Sequence, residues 1–267
     1  HKNITYIYGD LLNNFSFEKH TKDIDLVIHL FWSNVPRNGP EFLKQDLINS
    51  VSYGIDMLQA CVKNGVKKII FASSGGTVYG IPKEIPTPES NTLRPISSYG
   101  LTKSIFEKYV HFFSHQFDLT YSILRISNVY GPGQNLVVQQ GVISHWIRNI
   151  IRDQKIELWG DGNAVRDYIY IDDVVTAISK VIENEENQIL NISSNIGVSL
   201  NEIITILKDD LKLAFSVDQR SFNKSDVPEN ILDNTMARKC LQWDPLVSIR
   251  DGIAQTHDYL SNKIQNS

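Results

Sequence analysis

A tyrosine and a lysine four residues apart, in Tyr99-Gly-Leu-Thr-Lys103, are the residues of this sequence best suited to chemistry. On a helix that spacing puts both side chains on one face, one turn apart. An ammonium beside a phenol favours the phenolate, and a phenolate can take a proton from a hydroxyl as hydride leaves the same carbon. The lysine is also placed to donate to a ribose. Upstream, Ala72-Ser-Ser-Gly-Gly-Thr-Val-Tyr-Gly80 follows an apolar run with small and hydroxyl-bearing residues. Ligands approach an open α/β sheet at the carboxyl ends of its strands. Hydroxyls there would hold a substrate hydroxyl against Tyr99.

Such a pair needs a strand to deliver the hydroxyls and a helix to carry the tyrosine. The apolar runs at 25–30, 68–73 and 120–126 have strand length. Between them lie helical patterns at about 41–64, which Gly65 is placed to end, and 98–116. Apolar strands separated by helices predict a parallel sheet of βαβ units, hence an α/β doubly wound fold. Residues 2–8 also read as a strand. Past Tyr130 the rhythm loosens: a helix at about 140–152, a strand at 155–159, a helix at 172–183, a strand at 188–192 and a helix opening at Ser199. That stretch reads as a smaller cap over 131–267, beside a main unit over 1–130, with 165–195 returning to the main sheet.

Composition excludes several other classes. The chain has 267 residues, 42% of them hydrophobic and 21% charged, with a net charge of −4, which gives no electrostatic footprint for nucleic acid or an anionic membrane. No apolar run reaches the roughly 20 residues that span a bilayer. Cys61 and Cys240 read as reduced core thiols, and a cytoplasmic address is the default. His20, His111, His115 and His145 lack metal-ligand spacing, so no metal site is expected. His29 reads as structural, Tyr130 and Trp159 as core, and Asp172 and Asp173 as helix caps.

With those motifs in hand, the chain resembles the extended short-chain dehydrogenase/reductase family, especially its UDP-hexose 4-epimerase branch. The likeness rests on SSGGTVYG at 73–80 and YGLTK at 99–103, and extends over nearly the whole chain. It implies a Rossmann-like NAD-binding domain over 1–130 and a substrate-binding region over 131–267. By resemblance, Asp10 and Leu11 meet the adenine side of NAD, and Leu30, Phe31 and Trp32 line the dinucleotide. Ser50, Ser73, Ile126 and Val129 complete the cofactor set with Tyr99 and Lys103. Asn128 and Arg166 face the nucleotide diphosphate of a UDP-sugar, with Asp226 in the same region; a guanidinium suits that task. The family's catalytic Ser or Thr falls here on Gly75, which leaves Ser74 or Thr77 to supply the hydroxyl.

Other departures are Phe31 in place of a small residue, Ser50 in place of an Asn, and the shifted position of Arg220. No G-x-G-x-x-G or G-x-x-G-x-x-G turn occurs, so the resemblance implies that the first βαβ unit is missing and the sheet is N-terminally truncated. The implied reaction is epimerisation at C4 of a UDP-hexose or N-acetylhexosamine through a 4-keto sugar. The 4,6-dehydratase branch carries an Asp-Glu pair where Gly76 and Thr77 stand, which argues against dehydration. A 4-keto reductase needs only the same Tyr, Lys and hydroxyl, and a non-catalytic remnant is the reading from another class. A homodimer through helices 41–64 and 98–116 is the family expectation.

Overall fold

The computed structural model describes residues 3–11, 15–33, 43–135, 141–221 and 227–265. Its main sheet has four parallel strands in the order β1-β2-β3-β7: Leu26–His29, Lys68–Ser74, Thr120–Ile126 and Gln188–Ile192. Alternation along the strands decides which layer each residue meets. On β2, Ile69 and Phe71 join the core under α3 (Tyr53–Lys63) and α4 (Ser98–Phe117), against Leu58, Phe106 and Val110. Ile70 points the other way, into a core with α6 (Ile171–Glu183) and α8 (Thr235–Leu241). On β3, Ile123 and Leu124 divide between the same two layers. The sheet is thus covered on both faces, as a parallel sheet must be.

The helix expected at 41–64 begins as α2 (Leu43–Asp46), widens into a π-helical turn at Leu47–Ser52, and continues as α3; residues 41 and 42 lie outside the described residues. Gly65, with φ of 72°, follows it as predicted. A second sheet holds β4 (Asn128–Tyr130), β6 (Val165–Tyr170) and β10 (Glu229–Asn230), with β8 (Gly197–Ser199) antiparallel on β6. Of the span 165–195, then, β7 pairs in the main sheet and β6 in this one. A third core joins α5 (Val142–Ile151), β5 (Ile156–Trp159), α7 (Leu200–Thr205) and α9 (Ile249–Gln265) through Ile143, Ile147, Leu158, Ile203 and Ile253. β5 pairs with β9 (Val217–Arg220).

Four expectations need correction. Residues 3–8 form no strand: Ile4, Tyr6, Ile7 and Tyr8 are exposed and make no ladder. Strand propensity forms a strand only where a neighbour exchanges hydrogen bonds with it. Cys240 is exposed, because α8 turns Ala237 and Leu241, one turn apart, inward and leaves Cys240 outside; Cys61 is buried as expected. Trp159 is 44% exposed, since β5 sends Ile156 and Leu158 inward and Glu157 and Trp159 outward. Asp173 caps no helix; its carboxylate accepts from the backbone N–H groups of Leu246 (2.9 Å) and Val247 (3.1 Å), pinning the chain before α9.

Candidate active site

The start of α4 is fixed from three directions. Ser97 caps it, accepting from Gly100 N at 3.1 Å, and Ser98 donates to the buried Asp46. Gly100 lets the helix approach the loop after β2: a Cβ there would stand 2.6 Å from the Thr77 carbonyl oxygen. This close approach lays Tyr99 beside the end of β2, where its phenol hydrogen-bonds Ser74.

One turn on, Lys103 is buried and donates to the Ala72 carbonyl at 2.6 Å. Its ammonium lies 4.3 Å from the Trp32 ring centre and 4.7 Å from that of Phe71, in favourable cation–π positions. Trp32 is tethered in turn by Nε1 donating to Thr102 at 3.3 Å.

Burial decides the titration of both groups. It pushes the Tyr99 phenol up to about 12, with the Ser74 hydrogen bond pulling the other way. It drives Lys103 down to about 7, with Glu107 opposing. The depressed phenol pKa expected from the Tyr-Lys spacing is therefore absent. Desolvation disfavours both charged forms, and a lysine this close to neutral offers the phenolate little.

These residues line a cleft of about 1140 Å³ at the carboxyl ends of β1, β2 and β3. It gathers Leu30, Trp32, Ser73, Ser74, Thr77, Tyr99, Lys103, Ile126, Asn128, Val129 and Arg166 from the predicted set. Thr77 Oγ1 is buried there with no hydrogen-bond partner among the described residues. The hydroxyl cannot come from position 75. A Cβ on Gly75 would stand 2.3 Å from Leu232 Cδ1 and 3.0 Å from the Arg125 carbonyl oxygen.

Other predicted residues lie elsewhere. Ser50 is buried behind the cleft wall, 2.7 Å from the Ser33 hydroxyl that lines it. Phe31 is 48% exposed and is not part of the lining. Leu11 lines a separate hollow of about 540 Å³ with Phe15, Phe17 and Tyr53; Asp10 is exposed and lines neither. Asp226 falls outside the described residues. Arg220 pairs with Glu157 (3.0 Å) and Asp218 (2.9 Å). His29 is buried among Trp32, Phe71 and Phe106, and burial followed by the Lys103 charge lowers it to about 3. No group of three metal-ligating side chains occurs among the described residues, and no helix among them is long and apolar enough to cross a membrane.

Sequence reasoning missed a buried polar network behind the strand ends. Arg125 of β3 grips Glu107 of α4 with Nη2 at 2.7 Å and Nε at 3.2 Å to each carboxylate oxygen. Arg125 also donates to the Tyr79 hydroxyl at 3.0 Å, and Asp167 accepts from the backbone of Ser194, Asn195 and Leu232. One signal was available: charged residues within runs that otherwise read as buried strand or inward helix face.

The NAD dependent epimerase/dehydratase family model matches residues 1–197. The chain is 34% identical over 241 residues to a putative UDP-glucose 4-epimerase of Methanocaldococcus jannaschii, covering 90% of this chain and 78% of the relative. It is 35% identical over 232 residues to the dTDP-4-dehydro-6-deoxyglucose reductase of Escherichia coli, covering 86% and 73%. The solved UDP-glucose 4-epimerase of Thermotoga maritima, with UDP-glucose, superposes with a TM-score of 0.93 at 31% identity, over 99% of this chain and 86% of that one. A cleft at the carboxyl edge of a parallel sheet, with Tyr99 and Lys103 on one helical face at its floor, thus sits in a chain that belongs to the NAD dependent epimerase/dehydratase family, as an enzyme of that family.

Proposed function

We propose that this enzyme epimerises a UDP-hexose or N-acetylhexosamine at C4 by transient oxidation to the 4-keto sugar. The observation that carries the reading is the hydrogen-bonded Tyr99–Ser74 pair in a cleft that also holds the unpartnered Thr77 hydroxyl and Arg166. The residues present suit the nicotinamide side of NAD: Leu30, Ile126 and Val129 offer apolar walls, and Lys103 brings a donor for a ribose hydroxyl. A Gly-rich pyrophosphate turn has no counterpart in these 267 residues. NAD, when bound, supplies the hydride acceptor and donor.

The protein's part is orientation and proton transfer. Ser74 holds the Tyr99 oxygen, and Thr77 takes the substrate hydroxyl that Gly75 leaves unserved. The Tyr99 oxygen would take the C4 hydroxyl proton as the C4 hydride left for bound NAD, giving the ketone. The burial that holds the phenol up at about 12 would have to be offset by charge brought in with the ligands. For epimerisation the 4-keto sugar would turn over in the cleft so that bound NAD could return the hydride to its opposite face, and Tyr99 would give the proton back, so no net redox occurs. Arg166 and Asn128 anchor the diphosphate during that turn. Leu101, Tyr109 and Phe112, exposed on one side of α4, support pairing of two copies through that helix. Reduced cysteines suit a cytoplasmic setting.

A second reading, reduction of a 4-keto sugar nucleotide, draws on the 35% identical reductase. Tyr99 would then donate its proton to the ketone oxygen and nicotinamide would be consumed. The test is the protein expressed from its full reading frame, assayed with NAD and UDP-hexoses, plain and N-acetylated. Interconversion without net NADH, lost by about a thousandfold in Tyr99→Phe at unchanged thermal stability, supports epimerisation. Stoichiometric NADH consumption on a 4-keto sugar moves the assignment to a reductase. No turnover and no bound dinucleotide would leave a non-catalytic remnant.

A further inference from the structure

We propose that Glu107 is a positioning residue for the Tyr99–Lys103 pair: clamped by Arg125 and Ser73, it sets the register of α4 on the end of β2 and counterbalances the Lys103 ammonium. The proposal deepens the C4-oxidation reading and rests on it for its catalytic consequence.

Tyr99, Lys103 and Glu107 stand at successive four-residue steps on one face of α4, and together they hold three consecutive residues of β2. Tyr99 bonds Ser74, Lys103 donates to the Ala72 carbonyl, and Glu107 accepts from the Ser73 hydroxyl at 2.5 Å. The Glu107 clamp is as deeply buried as Lys103, both Arg125 and Glu107 side chains being no more than 5% exposed. Arg125 pairs with Ser73 in the β2–β3 register, so one carboxylate ties helix, strand and neighbouring strand at a single level.

Arg125 is fixed beyond that by the Tyr79 hydroxyl and the Glu89 carbonyl, each at 3.0 Å. A sliding α4 would break the Glu107 bonds to Arg125 and Ser73 together, and the Tyr99–Ser74 contact with them. A buried ion pair adds little stability over apolar side chains of equal volume. Replacing the pair by such side chains therefore separates its part in the fold from its part at the site.

Among the described residues, the groups facing Lys103 are His29 from β1, Tyr99 and Glu107 from its own helix, and the rings of Trp32 and Phe71. Behind Glu107 stand Arg125, Tyr79 and Glu89. His29 stays neutral above about pH 3, which leaves Glu107 as the carboxylate that raises Lys103 against its burial.

Lysine labelled with ¹³C at Cε, read by NMR from pH 5 to 10, tests the coupling with no reaction involved; loss of one resonance in Lys103→Met assigns the signal. The wild-type midpoint is expected near 7. Glu107→Gln is expected to lower it by about one pH unit. The double variant Glu107→Leu with Arg125→Met, which leaves neither charge buried without its partner, is expected to lower it as far and covers the case in which the single variant folds poorly. Glu107→Asp, which keeps the charge, restores it in part. In the holoenzyme the Gln and double variants lose about tenfold or more in kcat at neutral pH with KM unchanged, and the alkaline limb of the pH profile moves down.

A Lys103 midpoint that stays put, or climbs towards the ordinary lysine range as loosened packing admits water, overturns the proposal and leaves Glu107 a purely structural residue. A lowered midpoint in a protein that epimerises nothing upholds the Glu107–Lys103 coupling while sinking the reaction.

Discussion

The seam between β2 and α4 and the segment 3–11, which carries Asp10 and Leu11, both hold residues of one expected cofactor site, yet they differ sharply in burial. In the seam, Tyr99, Lys103, Ser73 and Ser74 are held by a buried ion pair, a helix cap and a close backbone approach. In the other segment, Asp10 is exposed and its neighbours Tyr6 and Tyr8 are 72% and 94% exposed. Resemblance to the family nominates Asp10 and Leu11, whereas helical spacing singles out Tyr99 and Lys103 on its own. What separates them is burial: packing between helix and strand encloses the seam's side chains, while Tyr6 and Tyr8 face solvent, and catalysis by orientation draws on such packing. Identity and spacing therefore identify candidates, and packing decides which of them already stand in a working geometry.

Breaking the buried ion pair of the seam gives the largest effect. Arg125→Met leaves the Glu107 carboxylate buried and unpaired, a loss of about 3–5 kcal/mol in urea unfolding. If the loss is under about 1 kcal/mol, water reaches Glu107 and the seam is not the rigid half. Next is Gly75→Ser, which drives a Cβ into Leu232 and is expected to cost about 1–3 kcal/mol. Leu232→Ala makes room, so the double variant should lose less than the sum of the singles. Simple additivity would mean that Leu232 does not bar a hydroxyl from position 75.

The pH dependence of stability sharpens the comparison within the seam. His29 is held at about 3 in the folded chain, against an ordinary value of 6.5. Between those values the unfolded chain binds a proton that the folded chain refuses, so stability falls as pH drops below 6.5 and is indifferent to His29 above it. From pH 6.5 to 5 the loss is about 2 kcal/mol, at roughly 1.4 kcal/mol per unit. His29→Phe keeps the aromatic packing and should remove this part of the slope. An unchanged slope would place the imidazole in contact with water.

The fold was legible because its signals are local. Runs such as Ile69-Ile-Phe71 and Ile123-Leu124 are apolar on both faces, and only a doubly covered strand tolerates that. The Tyr99–Lys103 pair was legible because helical spacing fixes it. Its titration was not, since burial depends on Trp32, Phe71 and the close approach at Gly100, which are distant in sequence. For the Glu107–Arg125 clamp, charges within apolar runs mark each partner, but their pairing was not legible: they sit 18 residues apart, and only the packing of α4 on β2 and β3 joins them. Trp159 and Cys240 were misjudged because a hydrophobic residue's side of a short element follows from its neighbours' packing.

The smallest expected effect probes the other half of the comparison. Residues 3–8 are rich in strand formers, and by propensity alone Tyr8→Ser should weaken a strand. In the structure Tyr8 pairs with no strand and is 94% exposed, so the substitution removes neither a ladder bond nor buried area. The expected change in unfolding free energy is within about 0.5 kcal/mol. Ile70→Ala, on the paired and fully covered β2, provides the scale at about 2–5 kcal/mol. A Tyr8→Ser loss above about 1 kcal/mol would show that this segment packs in solution. Asp10 and Leu11 would then share the order of the seam, and the contrast between the two halves of the site would disappear.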